Sequence, residues 1–68
     1  MAAFNITVNS EISYDKIMEY LISKSLTFSK DSSSGPIHLE IHGSNNDYTY
    51  FKNMIESGMI HAHLQEMI

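Results

Sequence analysis

The chain has 68 residues, with four lysines, no arginine and eight acidic residues, for a formal net charge of −4. A length of that order holds a single domain, here 1–68, whose one core sits near the lower limit for independent stability, so self-association is expected. The absence of cysteine excludes a disulfide framework, a thiolate zinc site and a cysteine nucleophile, and the scarcity of basic residues argues against direct nucleic-acid binding.

Phe4, Ile6 and Val8 alternate with Asn5, Thr7 and Asn9, which predicts a half-buried strand over 3–9. A helix follows, with Ser10 or Ser13 as its cap, Glu11 and Asp15 in its first turns, and Tyr14, Ile17, Met18 and Leu21 as an apolar stripe. Its end falls near Lys24 or Ser25. Leu26-Thr27-Phe28-Ser29 alternates again, Asp31-Ser32-Ser33-Ser34-Gly35-Pro36 supplies a polar turn, and Ile37 to His42 alternates in its turn, which together predict a hairpin.

Gly43 to Asp47 opens the next element. Ser44 followed by Asp47 resembles a capping box, although that box normally carries Glu or Gln at its last position. Tyr48, Phe51, Met54 and Ile55 then form a helical face, and Gly58 stands where a left-handed cap would end it. Tyr48-Thr49-Tyr50-Phe51 also suits a second hairpin, but the pattern running through Ile55 to a glycine favours helix. In the last segment Ile60, Ala62 and Leu64 alternate, while Ile60, Leu64, Met67 and Ile68 repeat at helical spacing. A new run starting directly after Gly58 favours a strand.

The resulting order is βαββαβ. It resembles the ferredoxin-like, or split βαβ, plan: an α+β sandwich in which a four-stranded antiparallel sheet carries two helices on one face, with the strands in spatial order fourth, first, third, second. The resemblance spans the whole chain and rests on element order. Heavy-metal-associated domains share the plan, but their paired cysteines are absent here. RNA-recognition motifs place exposed aromatics where this chain has Asn, Thr, His and Glu. Small amino-acid-binding regulatory domains also share the plan, and no residue pattern here singles them out.

Alternation turns Ile37, Leu39, Ile41, Ile60, Ala62 and Leu64 toward the core, leaving His38, Glu40, His42, His61 and His63 on the other face. His61-x-His63 and His38-x-Glu40 are plausible ligand spacings for zinc or a similar ion. The expected strand order separates them by two spacings of about 4.8 Å, across Asn5, Thr7 and Asn9, so a site shared by two copies is easier than one within a chain. Histidines covering a half-exposed face or lining a dimer contact is the simpler account. Protonation of such a face would weaken self-association as pH falls toward about 6.

No phosphate loop, nucleophile elbow or zinc-hydrolase signature occurs. Paired His38 or His63 with Glu40 could do acid-base work only in a pocket formed between subunits, so a non-enzymatic protein without cofactor is expected. Glu11, Asp15 and Glu19 recur every four residues along the first helix, and like charges at that spacing mildly destabilise it. A solvated face accounts for them simply; the sharper reading is a stripe that docks on a basic surface of a partner protein. In size and charge the chain is similar to small acidic phage and mobile-element inhibitors, including anti-CRISPR proteins, which implies an inhibitor or regulator acting by protein binding. The alternative is a metal- or small-ligand-binding oligomer using the histidine face. No apolar run approaches the roughly 20 residues of a membrane span, and Met1-Ala2-Ala3-Phe4 lacks the features of a signal peptide, so a cytoplasmic protein without membrane association is expected.

Overall fold

The computed structural model describes residues 2–33 and 35–67; of Ala2, Glu66 and Met67 it describes the backbone alone. Met1, Ser34 and Ile68 lie outside the described residues, and with them one serine of the turn cluster and the last position of the alternative helical repeat. The elements are β1 (Ala2–Val8), α1 (Glu11–Ser23), β2 (Thr27–Asp31), β3 (Ile37–Gly43), α2 (Asn45–Glu56) and β4 (Ala62–Met67). The strands form one sheet in the order β2-β3-β1-β4, with every neighbouring pair antiparallel. This is the ferredoxin-like α+β arrangement, with the expected spatial order.

Alternation in β1 and β3 turns Phe4, Ile6, Val8, Leu39 and Ile41 to one face, where they are fully buried. Ile17 and Leu21 of α1, Phe51 of α2 and Ile60 close the core from above. Phe4 meets Tyr48 edge-on at 5.6 Å between ring centroids and lies 5.9 Å from Phe51, which locks α2 onto the central strand. Each such fully buried side chain contributes roughly 1.5–3 kcal/mol through the apolar area it removes from water.

The helix ends follow from their capping chemistry. Ser10 caps α1, its Oγ accepting from the Ser13 N–H at 3.3 Å. Ser13 has a different duty: its buried hydroxyl accepts from the His61 N–H at 2.9 Å, tying α1 to the chain that enters β4. At the start of α2 the capping box forms with aspartate in place of the usual longer acid. The Asp47 carboxylate accepts from the Ser44 N–H at 2.8 Å while the Asp47 N–H donates to Ser44 Oγ. Gly43 makes room for this, since a Cβ there would lie 2.7 Å from Asp47 Oδ2.

Both helices close in the same hydrogen-bonded C-terminal motif. In α2 the Met59 N–H donates to the Met54 carbonyl and the Gly58 N–H to that of Ile55, with Gly58 at φ +83°. In α1 the Leu26 and Ser25 N–H groups donate to the Leu21 and Ile22 carbonyls, but the left-handed position, at φ +55°, is Ser25. A side chain at that φ costs energy that glycine would not.

Several strand boundaries differ by a residue or two from the sequence expectation. β2 runs to Asp31 instead of ending at Ser29, β1 ends at Val8 and leaves Asn9 exposed beyond it, and β4 starts at Ala62 with His61 outside it. In the first case pairing with β3 decides, because Asp31 still has His38 opposite it.

Candidate functional site

The two sides of the sandwich carry different chemistry. On the open face of the sheet the register sets Asp31, His38, Thr7 and His63 in one row across the four strands, and Ser29, Glu40, Asn5 and Gln65 in the next. His38 Nδ1 and Thr7 Oγ1 share a hydrogen bond of 3.1 Å. His42 stands in a third row with Ala3 and Thr27, and its Nε2 lies 3.1 Å from Glu40 Oε2 on the same strand. Asp31 is turned to its own loop, accepting from the N–H and hydroxyl of Ser33; the Ser33 N–H holds its carboxyl below the ordinary range.

The structure therefore regroups the histidines. His38 and His63 flank Thr7 in line, His42 pairs with Glu40, and His61, exposed and ahead of β4, has no partner in the described sheet register. Asn9 likewise takes no place on the face, so Ala3, Asn5 and Thr7 of β1 separate the histidine strands there. Among the described residues, no group of three or more His, Asp or Glu side chains comes close enough to hold a metal ion. A structural zinc site wants four ligands and a catalytic one three, so two ring nitrogens on either side of a threonine fall short within one chain.

The helical side carries the acidic stripe. Glu11, Asp15 and Glu19 are all exposed on α1, and among the described residues none of them lies within ion-pair distance of a lysine. Lys16, on the same side of the helix, is committed elsewhere: its Nζ donates to the Met59 carbonyl at 3.1 Å. Two isoleucines interleave with the acids. Ile12 is 70% exposed and Ile22 68% exposed, and Ile12, Asp15, Glu19 and Ile22 recur at i, i+3, i+7 and i+10, the spacing of one continuous helix seam. Met59 and Tyr50, the other large hydrophobes exposed among the described residues, also lie on this side or on the link that follows α2. None is on the open face of the sheet.

Between α1 and α2 runs a groove of about 300 Å³ lined by Lys16, Glu19, Tyr20, Ser23, Tyr50 and Met54. Its wall is a stacked pair, Tyr20 and Tyr50, with centroids 3.9 Å apart and rings 12° from parallel. Phe51 backs both rings edge-on, at 5.0 and 5.4 Å. The Tyr20 hydroxyl donates to Asp47 Oδ1 at 2.6 Å, which joins α1 to the cap of α2. Burial, followed by that bond to a carboxylate, pushes the Tyr20 hydroxyl up to about 12. The Ser44 N–H, followed by the Tyr20 hydroxyl, holds the Asp47 carboxyl below its ordinary value.

Sequence reasoning picked out the three acids but not Ile12, Ile22, Tyr20 or Tyr50. The isoleucines could have been found by their spacing against the acids. The tyrosines could not, because their pairing depends on how two helices cross. Among the described residues no helix is long and apolar enough to cross a membrane. Compared with models of known protein families, with curated proteins and with solved structures, the chain has no match.

Proposed function

We propose that the chain is a non-enzymatic protein-binding module, an inhibitor or regulator, that docks through the outer face of α1 on a basic surface of a partner protein. The observation that carries this reading is the seam of Ile12, Asp15, Glu19 and Ile22, with two largely exposed isoleucines bracketing carboxylates that no described lysine pairs. Unpaired acids steer and orient a basic partner, and apolar anchors supply contact area. A merely solvated helix face gains nothing from two isoleucines in water. An origin in phage or mobile elements, and action against a host defence, belong to the same proposal and rest on size and charge.

Ligand binding on the histidine face is the second reading. It has the aligned His38 and His63 in its favour, and it needs donors from another copy.

The test compares two double reversals of equal charge change: Asp15→Lys with Glu19→Lys on the seam, and Asp31→Lys with Glu56→Lys away from it. Fluorescence anisotropy of a labelled deca-lysine peptide reads binding at low ionic strength. Loss of about tenfold in affinity confined to the seam variant supports the docking face. Equal losses in both variants mean that bulk charge alone attracts the peptide, and exclude the seam.

A further inference from the structure

The geometry points to a guanidinium-binding slot: the groove between α1 and α2 takes an arginine side chain of the partner, its plane stacked on Tyr50 and its N–H groups on the Glu19 carboxylate. This rests on the docking reading above and adds to it a particular residue type on the partner. Three observations converge on it.

The first is the aromatic surface. Tyr50 remains 37% exposed while its ring stacks on Tyr20. Tyr20 is fixed from behind by its bond to Asp47 and by the edge of Phe51. A ring held in this way meets a flat ligand with little ordering cost. The second is charge. Glu19 lines the same groove with no lysine in ion-pair distance among the described residues, and Lys16, which also lines it, is held by the Met59 carbonyl. The third is that the stack already attracts a cation: Lys24 Nζ lies 6.0 Å from the Tyr20 centroid. Among the described residues no lysine occupies Tyr50 in the same way.

Arginine fits this slot better than lysine. Its guanidinium is planar, stacks on aromatic rings and presents paired donors that match a carboxylate, whereas an ammonium is a compact, strongly hydrated point charge. The groove opens beside the acidic seam, so an arginine anchored here belongs to the same basic surface that Asp15 and Glu19 face.

The test uses labelled deca-arginine and deca-lysine peptides with the whole protein, each affinity read by anisotropy and each variant checked for its fold by circular dichroism. The wild type is expected to prefer deca-arginine by about fivefold, in keeping with a partly exposed cation–π contact and a two-donor ion pair. Tyr50→Ala should bring that ratio below about twofold while deca-lysine binding is retained, and Tyr50→Phe, which keeps the ring, should preserve it. Glu19→Gln, which leaves the aromatic wall intact, should lower deca-arginine binding more than deca-lysine binding. A wild-type ratio near one, or a ratio unchanged in Tyr50→Ala and in Glu19→Gln, overturns the slot and leaves the docking face standing. Failure of both peptides to bind the wild type overturns the docking face itself, and the slot with it.

Discussion

Replacing Asp47 with alanine tests the junction on which the helical layer is built. Its carboxylate accepts from the Ser44 N–H at 2.8 Å, the Ser44 hydroxyl at 3.0 Å and the Tyr20 hydroxyl at 2.6 Å. Loss of the capping interaction costs about 1 kcal/mol, and loss of a hydroxyl bond to a charged acceptor costs about 1–2 kcal/mol, nearer the lower figure because water reaches both groups. The expected destabilisation is therefore roughly 2–3 kcal/mol, a fall in Tm of about 10–20 °C for a domain of this size. Thermal and urea unfolding followed by circular dichroism measure it. A double-mutant cycle isolates the tyrosine: Tyr20→Phe should cost about 1 kcal/mol in the wild type and close to nothing in Asp47→Ala. Strict additivity, with a coupling below about 0.3 kcal/mol, would refute the view that the two residues act as one clamp.

Four further outcomes follow from the same structure. Gly43→Ala should lower stability as Asp47→Ala does, by about 2 kcal/mol, because its Cβ would displace the carboxylate; in the Asp47→Ala background its effect should shrink, and urea midpoints will show whether it does. Ser25→Gly should stabilise by about 1 kcal/mol, since φ +55° suits glycine, and a neutral or lower Tm would contradict that. Leu39→Ala should cost about 2–5 kcal/mol, from full burial between strand and helices. Alkaline titration of stability should show a limb from Tyr20, whose folded value near 12 exceeds its ordinary 10: the contribution is complete below pH 10 and is lost between pH 10 and 12. Tyr20→Phe should erase that limb.

The elements were legible because most stretches repeat with one period and stop at a recognisable signal, and the strand order followed from the resemblance of their order to the split βαβ plan. Residues 48–51 suit strand as well as helix, and the capping box at Ser44 with Gly58 at the far end decides between them. That box was an uncertain sign, since aspartate is shorter than glutamate; the bare backbone of Gly43 lets it work. Ser25 hid the left-handed end of α1, because serine carries no mark of that conformation. The histidine face was legible as a face but not as rows. Alternation says which side a residue is on, whereas a two-residue slip of β3 would set His42 or Glu40 opposite other partners without changing any side. The Tyr20–Tyr50 stack was illegible for the same reason on a larger scale: it joins two helices whose crossing no local pattern encodes.

The position of β1 has a consequence for how the chain reaches this state. It is an inner strand, yet its partners come late in the chain: Thr7 meets His38 on one side, 31 residues on, and His63 on the other. Phe4, Ile6 and Val8 therefore cannot be covered by their own neighbourhood. Both edges of β1 wait for distant pairing, which places folding among the slower, non-local class, on the order of milliseconds or longer. The Ser13–His61 bond, closed across 48 residues, forms only when α1 and the approach to β4 have already met. During synthesis on the ribosome, an apolar strand with two open edges precedes everything that will shield it, and this interval is when the chain is most exposed to aggregation or to capture by another protein.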